Sequence, residues 1–499
     1  MSVIKKFAGQ TAVYGISTVA GRSLGFLLTP IFIRAYPPGV YGIFGTMFSY
    51  ASMLNALLAF GMETTFFRYL NKKPDDKLAV YNNSFGVVFT IAVAFLLITL
   101  PFINTITEWI KIDANTPFAD YVEYTRYFIG ILVLDALCVI PFAKIRADGH
   151  PGRYSSIKFI NILIFAGLNL IFIYVLPFII NNQLTGSIWM EQWFKGKWLG
   201  YVFISNLVAS AVTLILLLPE LLKLRPKFNW KLFTEMMVYS WPILIANFSF
   251  IINENLDKIL LGKLLPAKIS SVQVGIYSAC SKIAIFLSIF VQAFRLGAEP
   301  FFFSHAAKKN ANQTYARIMN YFIIAVCVIF VALVANIEVL KYFIRGKDAA
   351  EIKVYWSGLN VVPVLLFGYV SLGIYMNLSV WYKLSDQTRY GLYISGIGAI
   401  VTIIINVLFI PKYGYMASAW ASLAAYASMM VMSYVWGQKN YPIPYNLKKN
   451  LTYLVTSAIL VILSFVVFKR DLIAGNILLL LFLGGAVYAE RKELKQLLS

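Results

Sequence analysis

Basic residues lie inside apolar stretches of this sequence, in positions suited to binding an anion. Arg22 belongs to a polar stripe with helical spacing in the stretch 11–34, and Lys282 and Arg295 lie in the stretch 274–299. A guanidinium donates two parallel hydrogen bonds to a phosphate or carboxylate, and an ammonium attracts the same groups by charge. Ionisable side chains within a bilayer usually face a bundle interior or a wet cavity. These three cations predict an anion-binding cavity; the alternatives are a structural ion pair for Arg22 and an interface position for Arg295.

Carboxylates in similar stretches suggest a gate or an ion-coupling site. Glu254, Asp257 and Lys258 follow one another closely, and Glu254 and Lys258 have the i,i+4 spacing of a favourable helical ion pair. A local structural pair is therefore one interpretation, and a part of an outer gate is the other. Glu254 is our candidate for a proton-coupled carboxylate. Two further candidate buried carboxylates are Asp135 and Glu63.

The composition indicates how these residues are held. The chain has 499 residues, of which 60% are hydrophobic and 13% are charged, and its mean hydropathy is +0.72. Soluble domains are usually about 45–50% apolar and about 25% charged, so a soluble globule or a disordered chain is excluded. A membrane-spanning helix needs roughly 20 apolar residues, which predicts an all-α integral membrane protein with about fourteen transmembrane helices. The predicted spans are 11–34, 40–67, 84–107, 121–143, 157–180, 199–219, 236–261, 274–299, 317–340, 354–381, 391–410, 415–436, 450–468 and 473–489.

The distribution of the basic residues, which give the chain a net charge of +21, indicates its orientation in the membrane. With the N-terminus inside, the inner segments hold about twice as many Lys and Arg residues as the outer loops, as the positive-inside rule requires. Lys158 and Lys383 are counted in these inner segments. The bias predicts that both termini lie in the cytoplasm, and it explains the charge without nucleic-acid binding.

An internal repeat predicts two lobes. Val13-Tyr14 precedes an apolar run and then Val40-Tyr41-Gly42, whereas Val238-Tyr239 precedes a similar run and then Val274-Gly275. Paired halves around a central site are a transporter architecture. The predicted domains are two pseudo-symmetric six-helix lobes, 1–235 and 236–449, followed by two C-terminal helices and a cytoplasmic tail, 450–499.

The residues needed for most catalysis are missing from the predicted spans. The two histidines, His150 and His305, fall in predicted inner loops, and no Gly-rich phosphate loop is present. The three cysteines lie in apolar runs without metal-ligand spacing. The sequence predicts no enzyme, no cofactor and no metal site. A membrane glycan polymerase or ligase that uses scattered Arg, Glu and Asp residues stays an alternative.

Several motifs resemble those of bacterial polysaccharide exporters. Asp257-Lys258, Gly262, Val274-Gly275-Ile276-Tyr277 and Lys282 resemble the seventh and eighth helices of that family. The segment from Asn406 to Gly414, which includes Pro411 and Tyr413, resembles the eleventh-to-twelfth helix signature, and Tyr41-Gly42-Ile43-Phe44 with Gly61 and Arg68 matches in the first half. By these motifs the chain resembles the Wzx-type flippases of the multidrug/oligosaccharidyl-lipid/polysaccharide exporter superfamily.

The resemblance implies a bilobed transporter with alternating access. Its implied substrate is an undecaprenyl-pyrophosphate-linked oligosaccharide, the repeat unit of an O-antigen, capsule or exopolysaccharide, moved from the cytoplasmic to the periplasmic leaflet of the bacterial inner membrane. Implied partners are membrane lipids, H⁺ or Na⁺, and a polymerase or other pathway proteins. Arg22 resembles an arginine on the first span of a lipid II flippase of this superfamily. A multidrug or cation antiporter of the same superfamily is the alternative, although a cationic drug would favour an acidic cavity.

Overall fold

Almost every described residue belongs to a helix or a short turn. The structure is a computed structural model that describes residues 26–225, 228–306, 308–385 and 387–498. No β-strand occurs in these ranges, because a helix satisfies its backbone hydrogen bonds within one apolar segment. In chain order the α-helices are α1 (Thr29–Ala35), α2 (Pro38–Ala59), α3 (Met62–Lys72), α4 (Lys77–Thr99), α5 (Ile103–Ile110), α6 (Phe118–Ala147), α7 (Pro151–Leu170), α8 (Leu176–Asn181), α9 (Ser187–Glu191), α10 (Gly200–Leu216), α11 (Leu218–Leu221), α12 (Trp230–Leu264), α13 (Ser270–His305), α14 (Ala311–Ala335), α15 (Ile337–Leu340), α16 (Ala349–Trp356), α17 (Val361–Leu378), α18 (Val380–Leu384), α19 (Arg389–Tyr413), α20 (Tyr415–Asn440), α21 (Leu447–Ile462) and α22 (Leu472–Leu498).

The prediction of an all-α membrane protein is confirmed. In the described part of the chain, eleven helices are long and apolar enough to cross a membrane, and α10 is a shorter apolar helix. Helix α20 coincides with another predicted span. Most of the first predicted span lies outside the described residues, so the total number of spans stays a prediction.

The chain divides between Gly275 and Ile276 into two compact units. In the first unit, α10 packs against α6 and α7, and α12 packs along α2. Aromatic side chains fill part of this interior: the ring of Phe128 lies 4.8 Å from that of Phe203 and 5.5 Å from that of Phe48 between centroids. Such edge-to-face pairs add to the burial of apolar area. The lobe boundaries suggested by the repeat stay a prediction.

The second unit is centred on α17, which packs against α14 and α20. Small side chains allow the close approach of α20, since Ala419, Ala421 and Ala425 are completely buried. The two C-terminal helices α21 and α22 pack on α14. They are held to each other by Glu490, which accepts hydrogen bonds from Lys449 Nζ at 2.6 Å and Tyr453 Oη at 2.8 Å.

Candidate functional site

Two of the three predicted anion-binding cations, Lys282 and Arg295, lie far apart. Arg22 lies outside the described residues, and its role stays a prediction. Lys282 and Arg295 are both half-buried on the continuous helix α13. Their separation in sequence corresponds to roughly 20 Å along the helix axis and about 140° around it. A single pyrophosphate cannot bridge two side chains at this separation, and the binding roles of Lys282 and Arg295 stay a prediction.

Arg295 borders a small cavity within the second unit. Asn377 of α17 and Lys383 of α18 line the same cavity. The cavity volume is about 10 Å³, room for about one water molecule. The Asn377 side chain is 8% exposed, and its Nδ2 has no hydrogen-bond partner among the described residues. Sequence reasoning missed both residues, because Lys383 was assigned to a loop and an isolated Asn carries no signal.

The predicted gate residues lie together on α12. Asn253 and Asp257 are buried, at 1% and 3% exposure. Lys258 Nζ lies 3.3 Å from Asp257 Oδ1 and donates to the backbone oxygen of Glu254 at 3.3 Å. The spacing therefore predicted the cluster, and the structure adds Asp257 as an ion-pair partner of Lys258. Its function as a gate stays a prediction.

Helix α12 also contacts α2 beside this cluster. Asn255 Nδ2 donates to Ser52 Oγ at 3.2 Å. Ser52 belongs to α2, so the polar face of α12 is anchored to a neighbouring helix of the same unit. Glu254, Asp257 and Lys258, the predicted gate residues, therefore lie close to a contact between α12 and α2.

Asp135 lies within α6 and has polar neighbours from two other helices. It accepts a hydrogen bond from Ser210 Oγ of α10 at 2.7 Å, and Ser210 is 1% exposed. Lys158 of α7 acts on the Asp135 carboxylate through its charge, and its Nζ lies 4.3 Å from the centre of the Phe142 ring. Sequence reasoning missed Lys158 as a neighbour of Asp135, because it counted this residue with the basic residues of the inner segments, at the beginning of the predicted span 157–180; the helix α7 already begins at Pro151. The available signal was the pair of opposite charges on consecutive antiparallel helices.

The burial predicted for Glu63 is not observed. Its side chain is 45% exposed and forms an ion pair with Arg146 at the end of α6. The physical reason is a break in the predicted second span: Phe60 and Gly61 both have left-handed backbone conformations, with φ of 49° and 66°. Glu63 thus begins a new helix, where a carboxylate suits the positive end of the helix dipole.

The break between α2 and α3 is held by α12. Ser240 Oγ donates a hydrogen bond to the backbone oxygen of Phe60. A Cβ atom on Gly61 would lie 3.1 Å from Ile243 Cγ2 and 3.2 Å from the backbone oxygen of Ser240. Glycine is favoured here by both its conformation and the available space.

We expect Gly61→Ala to destabilise the protein by about 1–2 kcal/mol, the cost of a left-handed conformation for a residue with a Cβ atom. Thermal unfolding of the purified protein in detergent measures this effect. Gly167→Ala is the matched control, because Gly167 is helical and no atom lies within 4 Å of its added Cβ; we expect it to be neutral or stabilising. Equal unfolding temperatures for Gly61→Ala and the unmodified protein would contradict the role of the break.

The two glycines of the internal repeat contact each other. A Cβ atom on Gly42 of α2 would overlap the backbone oxygen of Ser271, and one on Gly275 of α13 would overlap the backbone oxygen of Pro38. The contact is reciprocal, and in each case the obstacle is backbone. Helices α2 and α13 therefore cross at a distance that only glycine allows. On the predicted topology this crossing lies at the outer ends of both helices.

Sequence comparisons connect part of the chain with polysaccharide synthesis. A sequence model of a family described as polysaccharide biosynthesis protein matches residues 193–302, which include α10, α12 and most of α13. An uncharacterised membrane protein of Methanocaldococcus jannaschii is 23% identical to this chain, over 98% of this chain and 94% of the relative.

Solved structures of transporters have the same fold. The lipid II flippase MurJ, in an inward closed conformation, covers 97% of this chain and is itself covered completely, with a TM-score of 0.72 and 14% identity. A multidrug resistance MATE family transporter of the MOP superfamily covers 86% of this chain and 94% of its own, with a TM-score of 0.63 and 12% identity. A MOP superfamily transporter from Pyrococcus furiosus has a TM-score of 0.61 and 12% identity, over 86% of this chain and 95% of its own.

The fold and the apolar helices define a multi-pass membrane protein of the MurJ and MATE architecture. The family match covers residues 193–302, and the likeness to the solved structures, at 12–14% identity, is a likeness of fold.

Proposed function

We propose that this protein is a Wzx-type flippase. It moves an undecaprenyl-pyrophosphate-linked oligosaccharide, the repeat unit of an O-antigen, capsule or exopolysaccharide, from the cytoplasmic to the periplasmic leaflet of the bacterial inner membrane. The observation that carries the proposal is the fold of a lipid II flippase over 97% of the chain, combined with the polysaccharide biosynthesis match at 193–302. Transport proceeds by alternating access, driven by an ion gradient or the membrane potential, with both termini in the cytoplasm.

The C-terminal helices favour the flippase over a drug exporter. The MATE transporter covers 86% of this chain, whereas the flippase covers 97%. The difference is about the size of the helix pair α21 and α22. The cationic residues Lys282 and Arg295 also suit an anionic pyrophosphate better than a cationic drug.

The proposed roles follow from charge and location. Arg22, Lys282 and Arg295 bind the pyrophosphate or acidic sugars, with Lys282 and Arg295 acting at separate positions on α13. Glu254, Asp257 and Lys258 belong to a gate near the outer ends of the helices. Glu254 stays the candidate for a proton-coupled carboxylate. Asp135 and Glu63 are further candidates for coupling to H⁺ or Na⁺, and Asp135 is the better of these two because Glu63 is half exposed and paired with Arg146.

Deletion of the gene tests the proposed function. We expect surface polysaccharide to be lost and the complete, unpolymerised repeat unit on its lipid to accumulate at the inner leaflet, measured by mass spectrometry. Normal surface polysaccharide with increased sensitivity to cationic drugs would replace the proposal with a drug exporter. Conversion of the lipid-linked sugar by the pure protein in liposomes would indicate a polymerase or ligase.

We expect Asp135→Asn to remove the dependence of transport on an ion gradient. The measurement is the rate at which the substrate that accumulates in the deletion strain crosses the membrane of proteoliposomes, with and without a pH or Na⁺ gradient. A gradient that raises the transport rate of the unmodified protein about fivefold, equivalent to about 1 kcal/mol, should leave the transport rate of the variant unchanged. Glu123→Gln is the matched control, because Glu123 lies on the same helix but near its exposed end, paired with Lys195 at 3.6 Å. Retention of the gradient effect by Asp135→Asn would exclude Asp135 as the coupling group.

A further inference from the structure

Hydrogen-bond donors converge on the cavity beside Arg295. The cavity lies between α13, α17 and α18, and its polar lining consists of Arg295, Asn377 and Lys383. The rest of the lining is apolar, with no acidic residue among the described residues that line it. Among the described residues, two cations and one amide thus line this small volume.

The amide of Asn377 is the strongest indication of a ligand. Its side chain is 92% buried, since 8% is exposed, and its Nδ2 has no hydrogen-bond partner in the described part of the chain. An unpaired buried donor costs about 1–3 kcal/mol, so such groups usually have a partner such as water or a ligand. An acceptor oxygen in the cavity would supply this partner.

We propose that Arg295, Asn377 and Lys383 form a site for the phosphate group of a ligand. The cavity volume of about 10 Å³ admits one oxygen atom, so the phosphate binds end-on, with one terminal oxygen inserted and the remainder outside. The Arg295 guanidinium and the Lys383 ammonium balance its charge, and Asn377 Nδ2 donates to the inserted oxygen.

The location gives this site a role different from that of Lys282. Arg295 and Lys383 lie near the ends of their helices that the predicted topology places in the cytoplasm, roughly 20 Å along α13 from Lys282. This part of the inference rests on the proposed function: the site would hold the phosphate of the lipid-linked substrate before it moves towards Lys282. A headgroup phosphate of a bilayer lipid offers the same chemistry, and the experiment separates the two sources.

The test measures phosphate binding to the purified full-length protein in phosphatidylcholine nanodiscs. Inorganic pyrophosphate is titrated at constant ionic strength, with sulfate as a control for charge, and the shift in unfolding temperature reports binding to the folded state. We expect a saturable rise for the unmodified protein and at least a tenfold weaker affinity for Arg295→Gln. Arg317→Gln is the matched control, because Arg317 is an exposed arginine on α14 of the same unit, and it should keep the response.

Asn377→Asp keeps the test informative if Arg295→Gln does not fold. The new carboxylate would sit beside Arg295, so we expect a folded protein that no longer responds to pyrophosphate. Equal responses in the unmodified protein and both variants would overturn the site, and so would a response to sulfate as strong as that to pyrophosphate.

The source of the phosphate is resolved by repeating the titration in nanodiscs that contain phosphatidylglycerol. Loss of the Arg295-dependent response would identify a bilayer headgroup as a competing occupant, whereas an unchanged response would favour the free phosphate of the substrate. Either result supports the phosphate site. A failure of the phosphate site can be told apart from a failure of the proposed function. The proposed function would fail if surface polysaccharide stayed normal after gene deletion.

Discussion

Gly42→Ala is expected to block transport while the protein still reaches the membrane. The added methyl group would overlap the backbone oxygen of Ser271 at the crossing of α2 and α13. Overpacking of this kind costs about 1–3 kcal/mol, and each 1.4 kcal/mol changes an equilibrium about tenfold. A conformation in which these helix ends touch would therefore lose about ten- to a hundredfold in population. Surface polysaccharide in a complemented deletion strain, normalised to membrane protein level, measures the loss.

The control separates this effect from ordinary helix propensity. Alanine is about 1 kcal/mol more favourable than glycine within a helix, so Gly167→Ala, in open space, should be active and at least as stable. Gly275→Ala should behave like Gly42→Ala, because its Cβ would overlap the backbone oxygen of Pro38. The double variant Gly42→Ala/Gly275→Ala should lose less transport than the sum of the two single losses, because moving the helices apart once relieves both clashes. Normal transport by Gly42→Ala would contradict the argument.

A reversible cross-link tests the same crossing without overpacking. A Cβ atom on Gly39 would lie 3.2 Å from Ser271 Oγ, the atom that the sulfur of a cysteine at position 271 replaces, so the two cysteine side chains would be close enough to meet. Gly39→Cys combined with Ser271→Cys should form a disulfide under oxidation, which stops transport, and reduction should restore it. The three native cysteines are free and buried, so they are poor competitors for the oxidant.

The apolar stretches predicted the helices, because a segment that crosses a membrane as a helix makes all its backbone hydrogen bonds within itself. That signal carries no information about short interruptions. The break at Phe60 and Gly61 falls inside a long apolar run, and it depends on contacts from Ser240 and Ile243, which are far away in sequence. The predicted burial of Glu63 was wrong for this reason.

The candidate site was predictable where its residues share one helix. Glu254, Asp257 and Lys258 are neighbours by helical geometry, so their spacing alone predicted the cluster. The charge of Lys158 acts on Asp135 only because α6 and α7 pack together, and Asn377 and Arg295 line one cavity although they belong to different helices, α17 and α13. Hydrophobic patterning indicates which segments form membrane-spanning helices, whereas the pairing of side chains between helices depends on the rotation and depth of each helix.

Removing one member of the pair Asp257–Lys258 is expected to be strongly destabilising. The Asp257 and Lys258 side chains are 4% and 17% exposed, with 3.3 Å between Oδ1 and Nζ. Loss of one partner from a buried ion pair costs about 3–5 kcal/mol, because the other charge is left uncompensated. We expect Asp257→Asn and Lys258→Gln each to lower the free energy of unfolding by about 3 kcal/mol, at the lower end because Lys258 is not completely buried.

The double variant distinguishes a gate from a structural pair. Neutralising both charges should recover most of the stability, so the cycle of single and double variants should be clearly non-additive. If the pair belongs to the gate, the recovered Asp257→Asn/Lys258→Gln protein should still transport poorly, because the charges that it uses are gone. Lys263→Gln is the control, since Lys263 lies in the last turn of the same helix with its Nζ 5.0 Å from the centre of the Trp109 ring. Recovery of both stability and transport in the double variant would reduce the pair to a structural role, and the gate would then have to depend on the glycine crossing between α2 and α13.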